Sequence, residues 1–252
     1  MPAQGMDHAM SMPALVSNDH VSPPAPQHAL APMPPGQMAD MMQMNDQARR
    51  GMWLFDRLEH RAGAGGSSAW NAEGWWGNDL DKLWLKTEGE RDRHGTRDAS
   101  VELLWSHAAS TFWDGQLGVR HDFGQGPARE WFAAGVQGLA PYRVALAATL
   151  YAGLQGRTAA RIEASYALHV TQRLILGPEL ELNLYGKDDP RRQIRAGLSR
   201  MEAGLRLRYE FSRRFAPYLG IERTHRYGRF NNPLRAEPAR ETSWVAGVRF
   251  WF

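Results

Sequence analysis

Two short clusters of methionine and histidine near the N-terminus have the residue types and spacing of a soft-metal site. The members of the two clusters are Met6, His8, Met10, Met12, Met38, Met41, Met42 and Met44. Thioether sulfur is a soft ligand that suits Cu(I), whereas imidazole suits Cu(II). Because thioethers carry neither charge nor proton, several can surround one ion without a pH-dependent deprotonation. The pattern predicts a copper ion as the cofactor of this segment, held as Cu(I) by methionine and as Cu(II) by histidine.

The segment that carries these clusters differs in composition from the rest of the chain. Residues 1–50 contain 9 of the 11 methionines and 8 of the 15 prolines, and they lack Trp, Phe and Tyr. Methionine elsewhere is a common filler of hydrophobic cores, but a segment of this composition cannot bury enough apolar surface to fold. We therefore predict a disordered metal-binding tail over residues 1–50 and a folded domain over residues 51–252.

The folded domain reads as alternating runs of apolar and polar residues. In one such run Leu180, Leu182 and Leu184 oppose Glu179 and Glu181, a period of two that indicates a strand. The runs are 52–62, 68–77, 80–91, 98–108, 112–123, 130–139, 143–154, 159–170, 173–186, 199–211, 214–227 and 242–252. Most are long enough for a tilted strand to cross a bilayer. They predict an all-β fold, an up-and-down antiparallel transmembrane β-barrel of about 12 strands.

The connections and the C-terminus support a membrane barrel. Long and short connections between the runs alternate, as they do between the outer loops and inner turns of such barrels. The ending "ETSWVAGVRFWF" places Trp244, Val248 and Phe252 on one face, which we expect to meet lipid. An even number of strands puts both ends of the barrel segment on the periplasmic side. We therefore expect the protein in the outer membrane of a Gram-negative bacterium, with its tail in the periplasm.

Two other folds are compatible with parts of the pattern. A soluble sandwich would use the same strands, but charged residues at mid-strand suit a dry core poorly. A barrel of ten strands starting near Leu80 is the second alternative, because Asp56 falls between Leu54 and Leu58 in the first run. In that case residues 52–78 would form a plug or clasp. No apolar stretch of 18 residues is present, so a helical membrane span is excluded.

Charged residues share the inward-facing parity of the predicted strands. They are Glu88, Glu90, Arg120, Asp122, Arg161, Glu163, Glu179, Glu181, Glu202, Arg206, Arg208, Glu210 and Arg249. A network of paired charges that fills the lumen explains most of them. Glu163 and His169 share this parity near the periplasmic mouth, and we name both as candidate metal ligands inside the barrel. A hydrogen-bonded histidine in the wall is the alternative for His169.

Other classes of function find little support in the sequence. The chain has no cysteine, which excludes a disulfide framework and a thiolate site, and its net charge of +3 gives no nucleic-acid footprint. The pair Ser106 and His107 cannot act as nucleophile and base, because adjacent strand residues point to opposite faces. No G-x-S-x-G, H-E-x-x-H or phosphate-loop motif occurs. We expect no enzymatic activity.

Several blocks of the folded domain resemble one known family. "KLWLKTEGE" (82–90), "FWDGQLGVRHDF" (112–123), "TQRLILGPELELNLYGKDD" (171–189) and "VAGVRFWF" (245–252) are similar to the copper-resistance protein B family. The resemblance extends over essentially all of residues 52–252. It implies an outer-membrane protein of copper resistance that acts beside a periplasmic multicopper oxidase. It also implies an N-terminal extension with methionine and histidine, while His60 departs from the aromatic residue that is frequent at its position.

These observations predict a protein of copper resistance and homeostasis. An outer-membrane barrel would carry a periplasmic Met/His tail that binds copper for sequestration or export, with membrane lipid and the oxidase as partners. A passive channel or structural barrel with an incidental tail is the first alternative. An outer-membrane hydrolase is the second, and it requires a serine–histidine pair within hydrogen-bonding distance.

Overall fold

Twelve antiparallel strands close into a barrel. The computed structural model describes residues 48–62, 66–227 and 238–252. The strands are β1 (Arg50–Ala62), β2 (Ser67–Gly77), β3 (Asp81–Asp92), β4 (Gly95–Ala108), β5 (Trp113–Gly124), β6 (Arg129–Ala140), β7 (Val144–Gly153), β8 (Arg157–Ser165), β9 (Leu174–Tyr185), β10 (Gly197–Tyr209), β11 (Phe215–Arg226) and β12 (Arg240–Trp251). Each strand pairs with its neighbours in the chain, and β1 pairs with β12 to complete the wall. The predicted up-and-down barrel is confirmed, and the tail lies outside the described residues except for 48–50.

Little else in the described ranges is regular. The two-residue segment Leu168–His169 continues the direction of β8 and pairs with β9. Three-residue 3₁₀ turns occupy Pro141–Arg143, Leu154–Gly156 and Pro190–Arg192. Within the part of the chain that the structure describes, no helix combines the length and apolar character needed to span a membrane.

The two faces of the wall differ sharply in character, and β4 shows this best. Its residues Ser100, Glu102 and Leu104 are buried inside the barrel, whereas Leu103 and Trp105 are exposed on the outer surface. The same alternation runs around the wall, because side chains on successive strand residues point to opposite faces. The outcome is an apolar outer surface and a lumen rich in charge, which is the arrangement of a transmembrane barrel.

Strand β1 is part of the barrel wall and contains a β-bulge. The pairing of β1 with β12 shifts between Phe55 and Leu58, and its pairing with β2 shifts between Phe55 and Arg57. One extra residue at this point lets Asp56 and Arg57 both face the lumen, while Leu58 returns to the outer surface. The ten-stranded alternative is therefore wrong. Asp56 interrupts the alternation because a bulge changes its phase.

The two ends of the barrel differ in their connections. Residues 78–80, 109–112, 141–143, 166–173 and 210–214 lie at what we call the short-turn end, where β1 begins and β12 ends. The described connections 93–94, 125–128, 154–156 and 186–196 lie at the other end, which we call the long-loop end, together with residues 66, 227, 238 and 239. Exposed aromatic residues, among them Trp53, Trp76 and Tyr142, surround the short-turn end. This band fits the aromatic girdle at a membrane interface.

The expected strict alternation of connection lengths is wrong. Residues 93–94 at the long-loop end form a two-residue turn, whereas residues 166–173 at the short-turn end form an eight-residue connection. The reason is that β3 and β4 extend into the stretch expected to be a loop, where Asp92 pairs with Gly95. Gly95 adopts a φ of 123°, which glycine reaches without steric cost.

Candidate functional site

The candidate site is a layer of ion pairs that crosses the lumen. Inward-facing carboxylates and guanidinium groups from most strands form ion pairs with one another inside the barrel. A charge removed from water is costly unless it is paired and hydrogen-bonded. The layer consists of two networks, one centred on Arg206 and the other on Arg161.

Arg206 on β10 joins three strands through their carboxylates. Its guanidinium donates to both oxygens of Glu59 at 3.0 and 3.1 Å, to Glu222 at 2.7 Å and to Glu179 at 2.8 Å. The side chain of Glu59 has no exposed surface. It also accepts a hydrogen bond of 3.0 Å from the hydroxyl of Tyr218. Both carboxylate oxygens of Glu59 therefore have hydrogen-bond partners. The planar guanidinium group of arginine suits this bidentate contact.

Arg61 extends the same network towards the long-loop end. It pairs with Glu59 at 3.2 Å, with Glu222 at 3.0 Å and with Glu90 at 3.5 Å. Because Glu90 belongs to β3 and Glu222 to β11, the contacts connect strands that lie four positions apart around the wall. These ion pairs therefore connect separate strands of the barrel in addition to filling the lumen.

Arg161 on β8 organises the second network. It donates to both oxygens of Glu88 at 2.5 Å, and it pairs with Glu163 at 2.8 Å and Glu181 at 3.0 Å. Glu88 also lies 3.7 Å from Arg120. A single arginine here compensates carboxylates from β3, β8 and β9.

Arg120 continues this network along the wall. It contacts Asp122 at 2.6 Å and Glu102 at 2.9 Å. Tyr151 donates to Glu102 at 2.9 Å, and the indole of Trp131 donates to Asp122 at 2.8 Å. Trp131 and Tyr151 also pack with the buried Leu104, so apolar contacts fix the side chains that hold the carboxylates.

Two cavities lie on either side of the ion-pair layer. The one at the long-loop end has a volume of about 770 Å³ and the one at the short-turn end about 610 Å³. The residues that line both cavities are Arg57, Asn71, Glu181, Glu202 and Glu222. These shared residues mark the boundary between the two cavities and place it at the layer.

The short-turn cavity carries an excess of negative charge. The acidic residues that line it are Asp56, Glu73, Asp114, Glu163, Glu179, Glu181, Glu202 and Glu222, and its arginines are Arg57, Arg206 and Arg249. A wall of low dielectric constant focuses the electric field of these carboxylates into the cavity, which raises the local concentration of cations. The arrangement therefore favours cations over anions at this mouth.

The connection 186–196 folds over the opposite mouth and is clamped there by Asp189. The buried carboxylate of Asp189 accepts from Arg129 at 2.9 and 3.1 Å and from Arg157 at 2.5 Å. Burial alone would raise the pKa of Asp189, but the hydrogen bond and charge of Arg129 and the charge of Arg157 outweigh it and lower the pKa. Arg192 donates to the carbonyl of Pro127 at 2.9 Å and lines the long-loop cavity.

The predicted metal ligands fall into two groups. The methionines of both clusters and His8 lie outside the described residues. Glu163 and His169 are described, but the structure does not bring them together. Glu163 lies opposite Glu181 and pairs with Arg161, whereas the exposed His169 lies opposite Ile175. Six residues of β9 separate those two positions, a distance of about 20 Å along a strand.

No cluster of three or more histidine, cysteine, aspartate or glutamate side chains within 48–62, 66–227 and 238–252 has the arrangement of a metal site. Most of the predicted inward charges form the ion-pair layer, whereas Arg208, Glu210 and Arg249 lie nearer the short-turn end. The prediction missed Glu59, Arg61, Glu102 and Glu222. The alternation in β4 could have identified Glu102 as inward-facing, because it shares the parity of Ser100 and Leu104. Glu59 follows the bulge, so simple parity could not assign it.

The serine–histidine neighbours separate as the strand geometry requires. Ser106 donates to Asp114 at 3.4 Å inside the barrel, whereas His107 contacts Asp81 at 2.9 Å on the outer side. The two side chains cannot share a proton across the wall, so this pair does not provide the nucleophile and base of a hydrolase.

Comparison with known proteins connects this barrel to one family. The family model described as copper resistance protein B precursor matches residues 49–252. The copper resistance protein B homolog of Pseudomonas syringae pv. tomato is 42% identical, over 99% of this chain and 87% of that protein. The copper resistance protein B of Escherichia coli is 40% identical, over 83% of this chain and 72% of that protein.

Solved structures support the fold independently. The NanC porin superposes with a TM-score of 0.54 at 15% sequence identity, covering 78% of this chain and 98% of the porin. The KdgM porin gives a TM-score of 0.50 at 12% identity, covering 80% of this chain and 99% of the porin. The barrel therefore has the fold of outer-membrane porins.

Proposed function

The chain belongs to the copper resistance protein B family and serves copper resistance, and from this premise we propose that its N-terminal tail is the copper-binding element. In this proposal the barrel sits in the outer membrane of a Gram-negative bacterium. The short-turn end and residues 1–50 face the periplasm. The tail methionines hold Cu(I), and the tail histidines add ligands for Cu(II).

The observation that carries the proposal is the position of the methionines. Nine of the 11 precede Met52, and β1 begins at Arg50 at the short-turn end. The tail is joined to the barrel at that end, so we infer that its ligands act on the same side of the membrane as the short-turn end. Tethering raises the effective concentration of ligands at one place without any new contact. Copper captured in this way is withheld from the periplasm, either for sequestration or for export.

A periplasmic multicopper oxidase is the partner that we propose for this system. An oxidase that converts Cu(I) to Cu(II) would change which tail residues bind the ion, because sulfur prefers Cu(I) and imidazole accepts Cu(II). The chemistry of the tail therefore suits a protein that exchanges copper with such an enzyme. Tail-dependent transfer of copper between the two purified proteins is the corresponding test.

Replacing four tail methionines tests the ligand assignment. The variant M38L/M41L/M42L/M44L keeps the apolar volume and removes four thioethers, so we expect weaker Cu(I) binding with an unchanged barrel. The control M52L/M201L alters the two methionines of the folded domain by the same chemistry. Unchanged Cu(I) affinity and stoichiometry in the tail variant would contradict the assignment, as would an equal loss in the control.

Glu163 and His169 stay separate predictions as ligands inside the barrel. Glu163 already compensates Arg161 at 2.8 Å, and His169 is exposed at the rim. We expect each to contribute a weak, independent contact at most. Cu(II) titration of E163Q and H169A in the full chain measures these contributions.

A passive channel is the second candidate function, and the two cavities favour it in part. They lie on the two sides of the ion-pair layer, which separates them. A low conductance that is independent of copper and of residues 1–50 would support the channel alternative over copper capture.

A further inference from the structure

Part of the short-turn end carries exposed arginines that the ion-pair layer does not use. We call it the basic rim, and its members are Arg49, Arg50, Arg143, Arg173, Arg213 and Arg214. They lie in the turns or at the strand ends of this side, and all are exposed. None of them forms an ion pair with a carboxylate within residues 48–62, 66–227 and 238–252. The lumen arginines, in contrast, are surrounded by carboxylates.

The basic rim lies directly beyond the exposed aromatic residues of the same end. Arg49 and Arg50 precede Trp53, Arg143 follows Tyr142, and Arg213 and Arg214 follow Phe211. Tyr142 is 90% exposed and Phe211 is 67% exposed. Aromatic girdles of membrane barrels mark the boundary between hydrocarbon and headgroups. Side chains one step beyond that boundary are at the height of the lipid phosphates.

Two arginines of the basic rim stack on tryptophans. The guanidinium of Arg49 lies 4.9 Å from the ring centroid of Trp76, and that of Arg214 lies 5.7 Å from the ring centroid of Trp251. Stacking holds the guanidinium plane while its N–H donors point outward around the edge. Such donors match the oxygens of a phosphate, which guanidinium binds in a bidentate manner.

Few carboxylates offset this charge. Asp79 is exposed at the same end, Asp81 contacts His107 at 2.9 Å, and Glu210 lies 4.0 Å from Arg208. At the long-loop end, acidic residues alternate with the arginines, as Asp92, Asp98 and Glu130 show. The short-turn end therefore presents the positively charged basic rim outside an acidic cavity.

We propose that the basic rim binds the phosphate groups of anionic phospholipids in the leaflet around the short-turn end. The ligand class is a phosphodiester headgroup that carries a net negative charge, with phosphatidylglycerol as the probe. The contact anchors the height of the barrel in the membrane and keeps the short-turn mouth at the lipid surface. It is independent of copper binding, so either proposal can fail without the other.

Native mass spectrometry of the full chain in detergent tests this site. Bound palmitoyl-oleoyl phosphatidylglycerol is titrated against phosphatidylcholine with the same acyl chains, and inorganic phosphate serves as a separate competitor. The wild-type protein is expected to prefer phosphatidylglycerol, and high salt is expected to weaken that preference. Equal affinity for the two lipids overturns the proposal. Displacement of the lipid by millimolar inorganic phosphate overturns the assignment to a headgroup.

Charge removal locates the site. The variant R143Q/R173Q/R213Q/R214Q is expected to lose about fivefold in phosphatidylglycerol affinity for each arginine removed. The matched control R91Q/R93Q/R191Q/R223Q removes four exposed arginines at the long-loop end and is expected to lose much less. An unchanged phosphatidylglycerol affinity in the rim variant overturns the proposal. In that case an acidic protein surface becomes the alternative partner of the basic rim. An equal loss in the control overturns the proposal as well. The lipid preference of the wild-type protein decides the case if the rim variant does not fold.

Discussion

Arg206 and Glu59 form a bidentate ion pair across the inside of the barrel, with contacts of 3.0 and 3.1 Å between residues that are 147 positions apart. Glu59 lies on the first strand and Arg206 on the tenth. The pair exists only when the wall is closed, because β1 must meet β12 before Glu59 reaches β10. It therefore connects barrel closure with the filling of the lumen.

Arg206→Met tests the energetic weight of this pair. The substitution leaves Glu59 and Glu222 buried near each other without their main counter-charge, so we expect a loss of about 3–5 kcal/mol in the free energy of unfolding. Urea unfolding in detergent or lipid measures it. Arg208→Met is the matched control on the same strand and face, because Arg208 lies 4.0 Å from its partner Glu210 and should cost less than about 1 kcal/mol. Equal stability of the two variants would contradict the role given to Arg206.

Removing Arg161 should open the lumen. The truncation R161A deletes the group that compensates Glu88, Glu163 and Glu181 and leaves carboxylates at the layer. We expect a higher single-channel conductance in a planar bilayer and a stronger preference for cations. The control R249A removes an arginine that pairs with Asp56 at 2.8 Å in the short-turn cavity. If both variants conduct like the wild-type protein, the layer is not the barrier.

Deleting Arg57 removes the extra residue of the β-bulge. Without it, Leu58 follows Asp56 directly, so strict alternation keeps Leu58 on the outer surface and Glu59 in the lumen. We therefore expect a folded barrel, which heat-modifiable mobility on gel electrophoresis reports.

The contrasting variant deletes Leu103 from β4, whose pairing with β5 has no register shift. This deletion turns Trp105 towards the lumen and Ser106 towards lipid, so its barrel should fail to form. Failure of the barrel after deletion of Arg57, or folding after deletion of Leu103, would contradict this account of the bulge.

Asp189→Asn should release the connection 186–196 at neutral pH. The lowered pKa of Asp189 means that its carboxylate stabilises the folded loop above the pKa of free aspartate, about 3.9, and loses this effect as pH falls through the folded-state value. We expect faster trypsin cleavage at Arg191 or Arg195 in D189N. The wild-type loop should resist pepsin down to about pH 4.

The control for this experiment is Asp188→Asn, because an amide oxygen can still accept the hydrogen bond that Asp188 receives from the backbone of Ala196 at 2.7 Å. It should be cleaved like the wild-type protein. Equal cleavage of D189N and wild type would show that the Asp189 clamp does not hold the loop.

The sequence predicted the wall better than the ends. The alternation of Leu180, Leu182 and Leu184 with Glu179 and Glu181 is a local property, so β9 and its two faces were predicted within one residue of their observed limits. Connection lengths were harder, because a charged run such as the one around Asp92 can continue a strand. Alternation alone does not show where pairing stops.

The presence of paired charges in the lumen was predictable from the sequence, whereas the partner of each charge was not. Inward parity identified Arg161 and Arg206, but their partners depend on the register between strands that are far apart in the chain. The bulge at Asp56 and Arg57 moved Glu59 to the opposite parity, since one inserted residue changes the phase of everything after it. In the sequence the insertion is visible only as the irregularity at Asp56, which does not show which side chains face inward after it.

The most direct test of copper capture is the metal stoichiometry of the full chain beside a variant that lacks residues 1–47, each purified as a folded barrel. Both are loaded with copper under reducing and under oxidising conditions, and bound metal is counted after removal of free ions. We expect the full chain to retain Cu(I) and the shortened chain to lose most of it. Equal Cu(I) retention by the two proteins would contradict the assignment of copper binding to the tail.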